Sequence, residues 1–214
     1  MASTSPDARQ THSRIMNPLI ARAAVADGRN VIIDLLVVYT RGLASGNFST
    51  KLNNLITLTN QAYVDSKADL RLRLAAAKRV NYADGGDNSR ALDDLRNGFG
   101  SLRVVRNLRH KKGADVVVLL RPFKPAAQGG ACGMAWVNGA GGSELRADLV
   151  NLGTRSGYYC TNYTLAHEVG HVLGAAHDRE HADVTGKFPY SYGCGIEGRF
   201  GDIMSYYDPE IGMH

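Results

Sequence analysis

The chain has 214 residues, 44% of them hydrophobic and 21% charged, which is enough for one domain with a sizeable core and excludes an intrinsically disordered protein. Lys plus Arg is 25 and Asp plus Glu is 20, a net charge of +5. The longest apolar runs, around residues 31–39 and 116–120, have strand length, so no stretch is long enough to span a bilayer.

Residues 1–28 read as a loosely ordered, polar lead-in without the apolar core of a secretory signal. A processed chain, export without a cleaved signal, or residence inside the cell each fit that reading. VIIDLLVVYT, 31–40, reads as a buried strand, and a helix is expected over 49–66 with Leu52, Leu55, Ile56, Ala62 and Tyr63 on one face. Leu70, Leu72 and Leu74 alternate with Arg71 and Arg73, the pattern of a half-exposed strand. DGGDN at 84–88 is a turn. Helical spacing returns at Leu92 and Leu95 and, after a Gly break, at Leu102, Val105 and Leu108. This region is basic, with 11 basic and 4 acidic residues between Arg71 and Lys112. The spacings suit solvated faces and no aromatics interleave to stack bases, so nucleic acid is not expected as a partner.

ADVVVLL, 114–120, reads as a central strand, 122–130 as a loop, 131–137 and 147–150 as short strands with Gly-rich NGAGG between the two, and a helix begins near Asn162. The last 40 residues lack regular periodicity, and the stretch 160–214 is acidic, with 3 basic and 8 acidic residues. Strands and helices alternating in this order indicate α/β or α+β architecture with a mixed sheet. Three cysteines, Cys132, Cys160 and Cys194, leave at least one unpaired within the chain, and one disulfide would fit an oxidising compartment.

The chemistry concentrates in TLAHEVGHVLGAAHD, 164–178. His167 and His171 lie four residues apart on an apolar-periodic stretch, so a helix turns both imidazoles to one side. Gly174 can end that helix in the left-handed conformation and bring His177 to the same ion. Three nitrogen ligands with one open position describe a catalytic zinc, and Glu168, beside the first ligand, would face the open position as general base. Single histidines on an apolar helix face are usually core residues. Three at this spacing with Glu168 and Gly174 in place point to one catalytic zinc ion, and the lack of a fourth ligand argues against a structural one.

His167-Glu168-x-x-His171-x-x-Gly174-x-x-His177 resembles the zinc motif of the metzincin metalloproteases. GDIMSYY, 201–207, resembles the downstream turn of that clan, with Met204 as its methionine. The resemblance implies that Tyr206 binds zinc or stabilises the oxyanion, and that Asp178, as in reprolysins, is structural. It is closest to bacterial reprolysin-like enzymes of the peptidyl-Asp metalloendopeptidase type, through IDLLVVYT, TNQAY, LRLRL, GADVVVLL, CGMAWV and PYSYG. That family implies an α+β zincin fold, with an α/β-like upper subdomain at about 29–174 and a small irregular lower one at about 175–214. Gly133, Met134, Ala135 and Trp136 would form the edge strand that pairs with extended substrate. It further implies a Cys132–Cys160 disulfide, a preference for Asp next to the scissile bond with Arg199 as the candidate cation, and relatives that continue into a C-terminal helix. The expected partner is a polypeptide substrate, with a protein inhibitor or prosegment as a further candidate, acting on a monomer that is secreted or delivered as an effector. A zincin acting on a small amide, and a zinc-binding module without turnover, are the competing functions.

Overall fold

The structure, a computed structural model, describes residues 31–44, 46–137, 147–155 and 158–206. The lead-in at 1–28, the glycine-rich stretch at 138–142 and the residues after Tyr206 lie outside the described residues. Strand β1, Val31–Tyr39, is apolar on both faces and is accordingly buried on both. Ile33, Leu35 and Val37 enter one apolar cluster, Leu36 and Val38 the other. Helix α1, Phe48–Asp65, carries the chain to β2, Leu70–Arg79, which pairs parallel to β1. Asn60 fixes that crossover: its amide donates to the Leu72 carbonyl at 3.0 Å and its oxygen accepts the Leu72 N–H at 2.7 Å.

Helices α2, Asn88–Asn97, and α3, Arg103–Lys112, then return the chain to the other side of β1, where β3, Val116–Pro122, lies parallel to it. Asp87 caps α2 by accepting the Arg90 N–H at 2.9 Å. Leu52 and Leu55 of α1 pack on one face of the sheet, whereas Ala91, Leu92, Leu95 and Val105 of α2 and α3 pack on the other. One-turn helix α4, Pro125–Gln128, precedes β4, Gly133–Ala135. Strands β5, Ala147–Arg155, and β6, Tyr158–Cys160, lead to α5, Thr164–Leu173.

The strand order is β2-β1-β3-β5-β4, with β6 also on β5, and only β4 and β6 run antiparallel to their neighbour. The mixed sheet of an α+β fold is therefore present, with β4 at its edge. In the C-terminal part, Gly195–Ile196 (β7) and Phe200–Gly201 (β8) form a two-residue ladder. No helix among the described residues is long and apolar enough to cross a membrane.

Several boundaries differ from the sequence reading for identifiable reasons. The loop expected at 122–130 contains α4, because Pro125 suits the first turn of a helix and Gln128 ties it down. The Gln128 side chain accepts the Lys124 N–H and donates to the Asp84 and Pro122 carbonyls. Strand β2 runs on to Arg79 past an irregularity that sets Leu35 opposite Leu74 and Leu36 opposite Ala76. The inward alternation ends there, so Leu72 is 1% exposed but Leu74 36%. Thr59, a polar residue, takes a place on the buried face of α1 by donating its hydroxyl to the Leu55 carbonyl. Strand β4 is shorter than the expected 131–137, leaving Trp136 beyond the ladder, while β5 is longer than the expected 147–150.

Candidate metal centre

Helix α5 carries its apolar residues inward: Leu165, Val169 and Val172 join the same cluster as Leu52 and Leu55. His167, Glu168 and His171 are also buried, each less than a tenth exposed. The helix stops where Gly174 adopts φ 107°, ψ 11°, and its N–H closes back on the Gly170 and His171 carbonyls. Two backbone bonds then hold the following turn: Ala176 N–H donates to Ser191 O at 2.9 Å and Gly193 N–H to Ala176 O at 3.0 Å. His177 leaves that bridge toward the helix.

The three imidazoles meet. Their Nε2 atoms form a near-equilateral triangle with edges of 3.1, 3.1 and 3.2 Å. His167 Nδ1 is 2.6 Å from the Ile203 carbonyl and His171 Nδ1 is 2.8 Å from the Ala175 carbonyl. A carbonyl only accepts, so each Nδ1 carries the proton and each of those Nε2 atoms presents a lone pair. Lone pairs that face one another at this range repel unless a cation lies between them. Imidazole nitrogens held 2.0–2.1 Å from a tetrahedral zinc are roughly 3.3 Å apart, close to the observed edges. The donor set thus fits one zinc ion.

Burial is the main cause that holds His167 down at about 4, and the nearby His171 adds to it. His177 is likewise pushed down to about 4, first by burial and then by His171. Both rings are neutral near pH 7, as metal ligation requires. The Tyr206 hydroxyl is 2.9 Å from His177 Nε2. Burial first, then the charge of Glu168, raises this phenol to about 12, so it keeps its proton at neutral pH.

Beneath the histidines, Met204 packs against α5 at Gly170, where an added Cβ would lie 2.5 Å from the Met204 sulfur. Asp202 shapes the turn by accepting the Cys194 and Met204 N–H groups at 2.8 and 2.9 Å. Asp178 is 1% exposed and accepts from the Tyr206 N–H at 2.8 Å and the Glu180 N–H at 3.2 Å, with His181 Nδ1 2.7 Å away. Burial alone would raise its carboxyl, but these partners outweigh it and the group is held below its ordinary value. The aspartate therefore pins the third-histidine turn to the chain that presents Tyr206.

Cys132 and Cys160 form a disulfide, and Cys194 is a free, exposed thiol. Gly133, Met134 and Ala135 lie in the edge strand and Trp136 follows it. Arg199 is exposed in the turn between β7 and β8. The sequence reading did not identify the Ile203 and Ala175 carbonyls, which set the two tautomers, because every residue has a carbonyl and only the fold selects these. It also missed Gly170 and Gly193, although both are visible as glycines. An added Cβ at Gly193 would lie 2.6 Å from the Met204 carbonyl oxygen.

Comparison with known proteins agrees with this centre. The chain is 31% identical over 198 residues to a peptidyl-Asp metalloendopeptidase of Stenotrophomonas maltophilia, covering 89% of this chain and 45% of that protein. It is 28% identical over 214 residues to a protein of the same name from Pseudomonas aeruginosa, covering 87% of this chain and 34% of that one. The chain thus spans less than half the length of these relatives. A chain from a structure described as a chaperone-substrate complex shares the fold at a TM-score of 0.65 and 20% identity, over 84% of this chain and 28% of that one. Residues 28–210 match the model of the metallo-peptidase family M12B, reprolysin-like. With the match covering the sheet, the three histidines and the Met204 turn together, the chain belongs to the M12B reprolysin-like metallopeptidases.

Proposed function

We propose that the chain is a zinc endopeptidase that hydrolyses extended polypeptides, with Glu168 as the proton carrier. The observation that carries this reading is the triangle of three Nε2 atoms with a buried carboxylate on the adjacent helical position. A zinc ion held by His167, His171 and His177 would supply a Lewis acid that polarises the scissile carbonyl and makes water a nucleophile near neutral pH. Glu168 accepts the proton from the attacking water and returns it to the leaving amine. Tyr206 keeps its proton and donates a hydrogen bond from its hydroxyl to the oxygen on which negative charge develops, a role supported by that hydroxyl 2.9 Å from His177 Nε2. Strand β4 offers backbone groups along the sheet edge to an extended substrate, whose added strand would lie beside Gly133–Ala135.

A preference for bonds next to Asp is the finer part of the reading and is supported by the names of the relatives. Arg199 is the proposed cation for that pocket. Work outside the reducing cytosol, as a secreted protein, is supported by the Cys132–Cys160 disulfide.

Cleavage of casein, and of quenched peptides with and without Asp at the scissile bond, tests the proposal. Activity is expected to vanish with a chelator and return with zinc. Glu168→Ala is expected to bind one zinc per chain and to lose at least about 10³-fold in kcat, within the range of a general base combined with nucleophile activation. Undiminished cleavage by that variant would remove Glu168 from the mechanism, and zinc binding without any turnover in the wild type would favour a binding module.

A further inference from the structure

Gly133 opens the edge strand, and it faces Glu168. A Cβ built on Gly133 would lie 2.6 Å from both Cγ and Cδ of Glu168, and closer still to Oε1. Unbonded heavy atoms in contact sit about 3.5–4.0 Å apart, so a side chain and this carboxylate cannot share the space. The backbone conformation does not demand glycine here, because Gly133 is not among the positive-φ glycines of the chain. Room for Glu168 is what excludes a side chain.

The strand and the helix are both held in place, so any movement falls on the Glu168 side chain. Gly133, Met134 and Ala135 pair with Val150, Leu149 and Asp148 of β5. The preceding residue, Cys132, is bonded to Cys160, four residues before the start of α5. Ala131, one residue earlier, has its carbonyl held by Asn88 Nδ2 at 3.1 Å. Asn88 is itself buried and accepts from the fully buried Arg121 at 2.5 Å. On the other side, Leu165 and Val169 lock α5 against the sheet, at 1% and 0% exposed.

We propose that Gly133 is a positioning residue for Glu168: its bare backbone is the wall against which the carboxylate rests, and the Cys132–Cys160 disulfide holds that wall to the chain entering the active-site helix. The inference rests on Glu168 being the proton carrier, and it adds that the edge strand sets where that carboxylate sits as well as where substrate lies. A methyl at position 133 pushes the carboxylate away from the attacking water without touching a histidine, and a misplacement of about 1 Å in a catalytic group costs on the order of 10²-fold in rate.

Gly133→Ala tests this in two backgrounds. In the wild-type background the variant should bind one zinc per chain, lose about 10²-fold in kcat on a quenched peptide, and keep KM within about threefold. Overpacking should lower the thermal midpoint of the metal-free protein by roughly 3–8 °C. Placed on Glu168→Ala, the same substitution finds the space vacated and should lower the midpoint by less than about 2 °C. Trp136, the single tryptophan of the chain, lies three residues on and should keep its emission if the strand stays seated. If Gly133→Ala fails to fold, recovery of a folded, zinc-binding protein in the double variant supports the contact, and failure of both overturns it. Equal midpoint losses in the two backgrounds also overturn it. Full kcat in Gly133→Ala beside an inactive Glu168→Ala removes the proposal and leaves the function standing, whereas full activity in both removes Glu168 from the mechanism first.

Discussion

The sheet with its helices and the segment after Gly174 are held together by different forces. In the first, large aliphatic side chains are removed from water: Leu35, Leu36, Val37, Val38, Leu119 and Leu120 are all fully buried. In the second, the buried non-glycine residues between 175 and 206 are Ala176, Asp178 and Ser205, while Phe188, Tyr190, Ile196 and Phe200 are exposed. Backbone bonds, two aspartates and close glycine contacts replace the missing core. The segment after Gly174 therefore holds His177 and Met204 with little hydrophobic burial of its own.

The sharpest way to separate the two regions is to damage one core residue of the upper half. Leu119→Ala removes a fully buried side chain from the central strand β3 and is expected to cost about 2–5 kcal/mol. Thermal unfolding should fall by roughly 5–15 °C. Zinc stoichiometry and affinity, measured well below that temperature, should not change, because Leu119 packs in the apolar cluster on the face of the sheet away from the one that holds Leu165, Val169 and Val172 of α5. A large loss of zinc affinity in this variant would mean that the two regions are not separable.

Asp178→Asn acts on the other region and should do the opposite. The carboxylate accepts two backbone N–H groups and neighbours His181, and an amide in its place turns one acceptor into a donor facing a donor. The loss is expected at about 1–3 kcal/mol of stability, with zinc binding weakened about 10- to 100-fold because His177 and Tyr206 are no longer tied together. The stability part should be smaller than for Leu119→Ala and the metal part larger. Competition with a zinc chelator reads the second quantity, and an unchanged affinity would reduce Asp178 to a loop-stabilising role.

The same contrast decides what was legible before the structure. Strands β1 and β3 and helix α1 announce themselves by apolar runs and periodicity, because burial on a repeating geometry leaves a repeating pattern. The histidines and Glu168 were legible because helix geometry alone brings positions four apart to one side, and Gly174 supplies the turn that a third ligand needs. Strand β4 was placed but drawn too long, since its ends are set by pairing with β5 and by the disulfide rather than by its own residues. The lower segment has no periodicity to read. Its order comes from contacts such as Asp202 with the Met204 N–H, which depend on chain path and leave only glycine and aspartate as clues.

Gly170→Ala is the mildest test and the one that isolates the seam between the regions. Gly170 lies within α5, where alanine is intrinsically favoured over glycine by about 0.5–1 kcal/mol. Against that gain, the new methyl would lie 2.5 Å from the Met204 sulfur and 3.3 Å from its terminal carbon. Methionine is flexible and adapts at modest cost, so overpacking here belongs at the lower end of the usual range, about 1 kcal/mol. The two effects nearly cancel, and the midpoint of unfolding should move by no more than about 3 °C. Zinc release is where the substitution should register. Displacing Met204 disturbs the neighbouring Ile203 carbonyl that orients His167, so the off-rate should rise about 3- to 10-fold, a fraction of the usual second-sphere effect. A stabilised variant with wild-type zinc release would show that the Met204 turn yields freely and that the two regions meet more loosely than their contacts suggest.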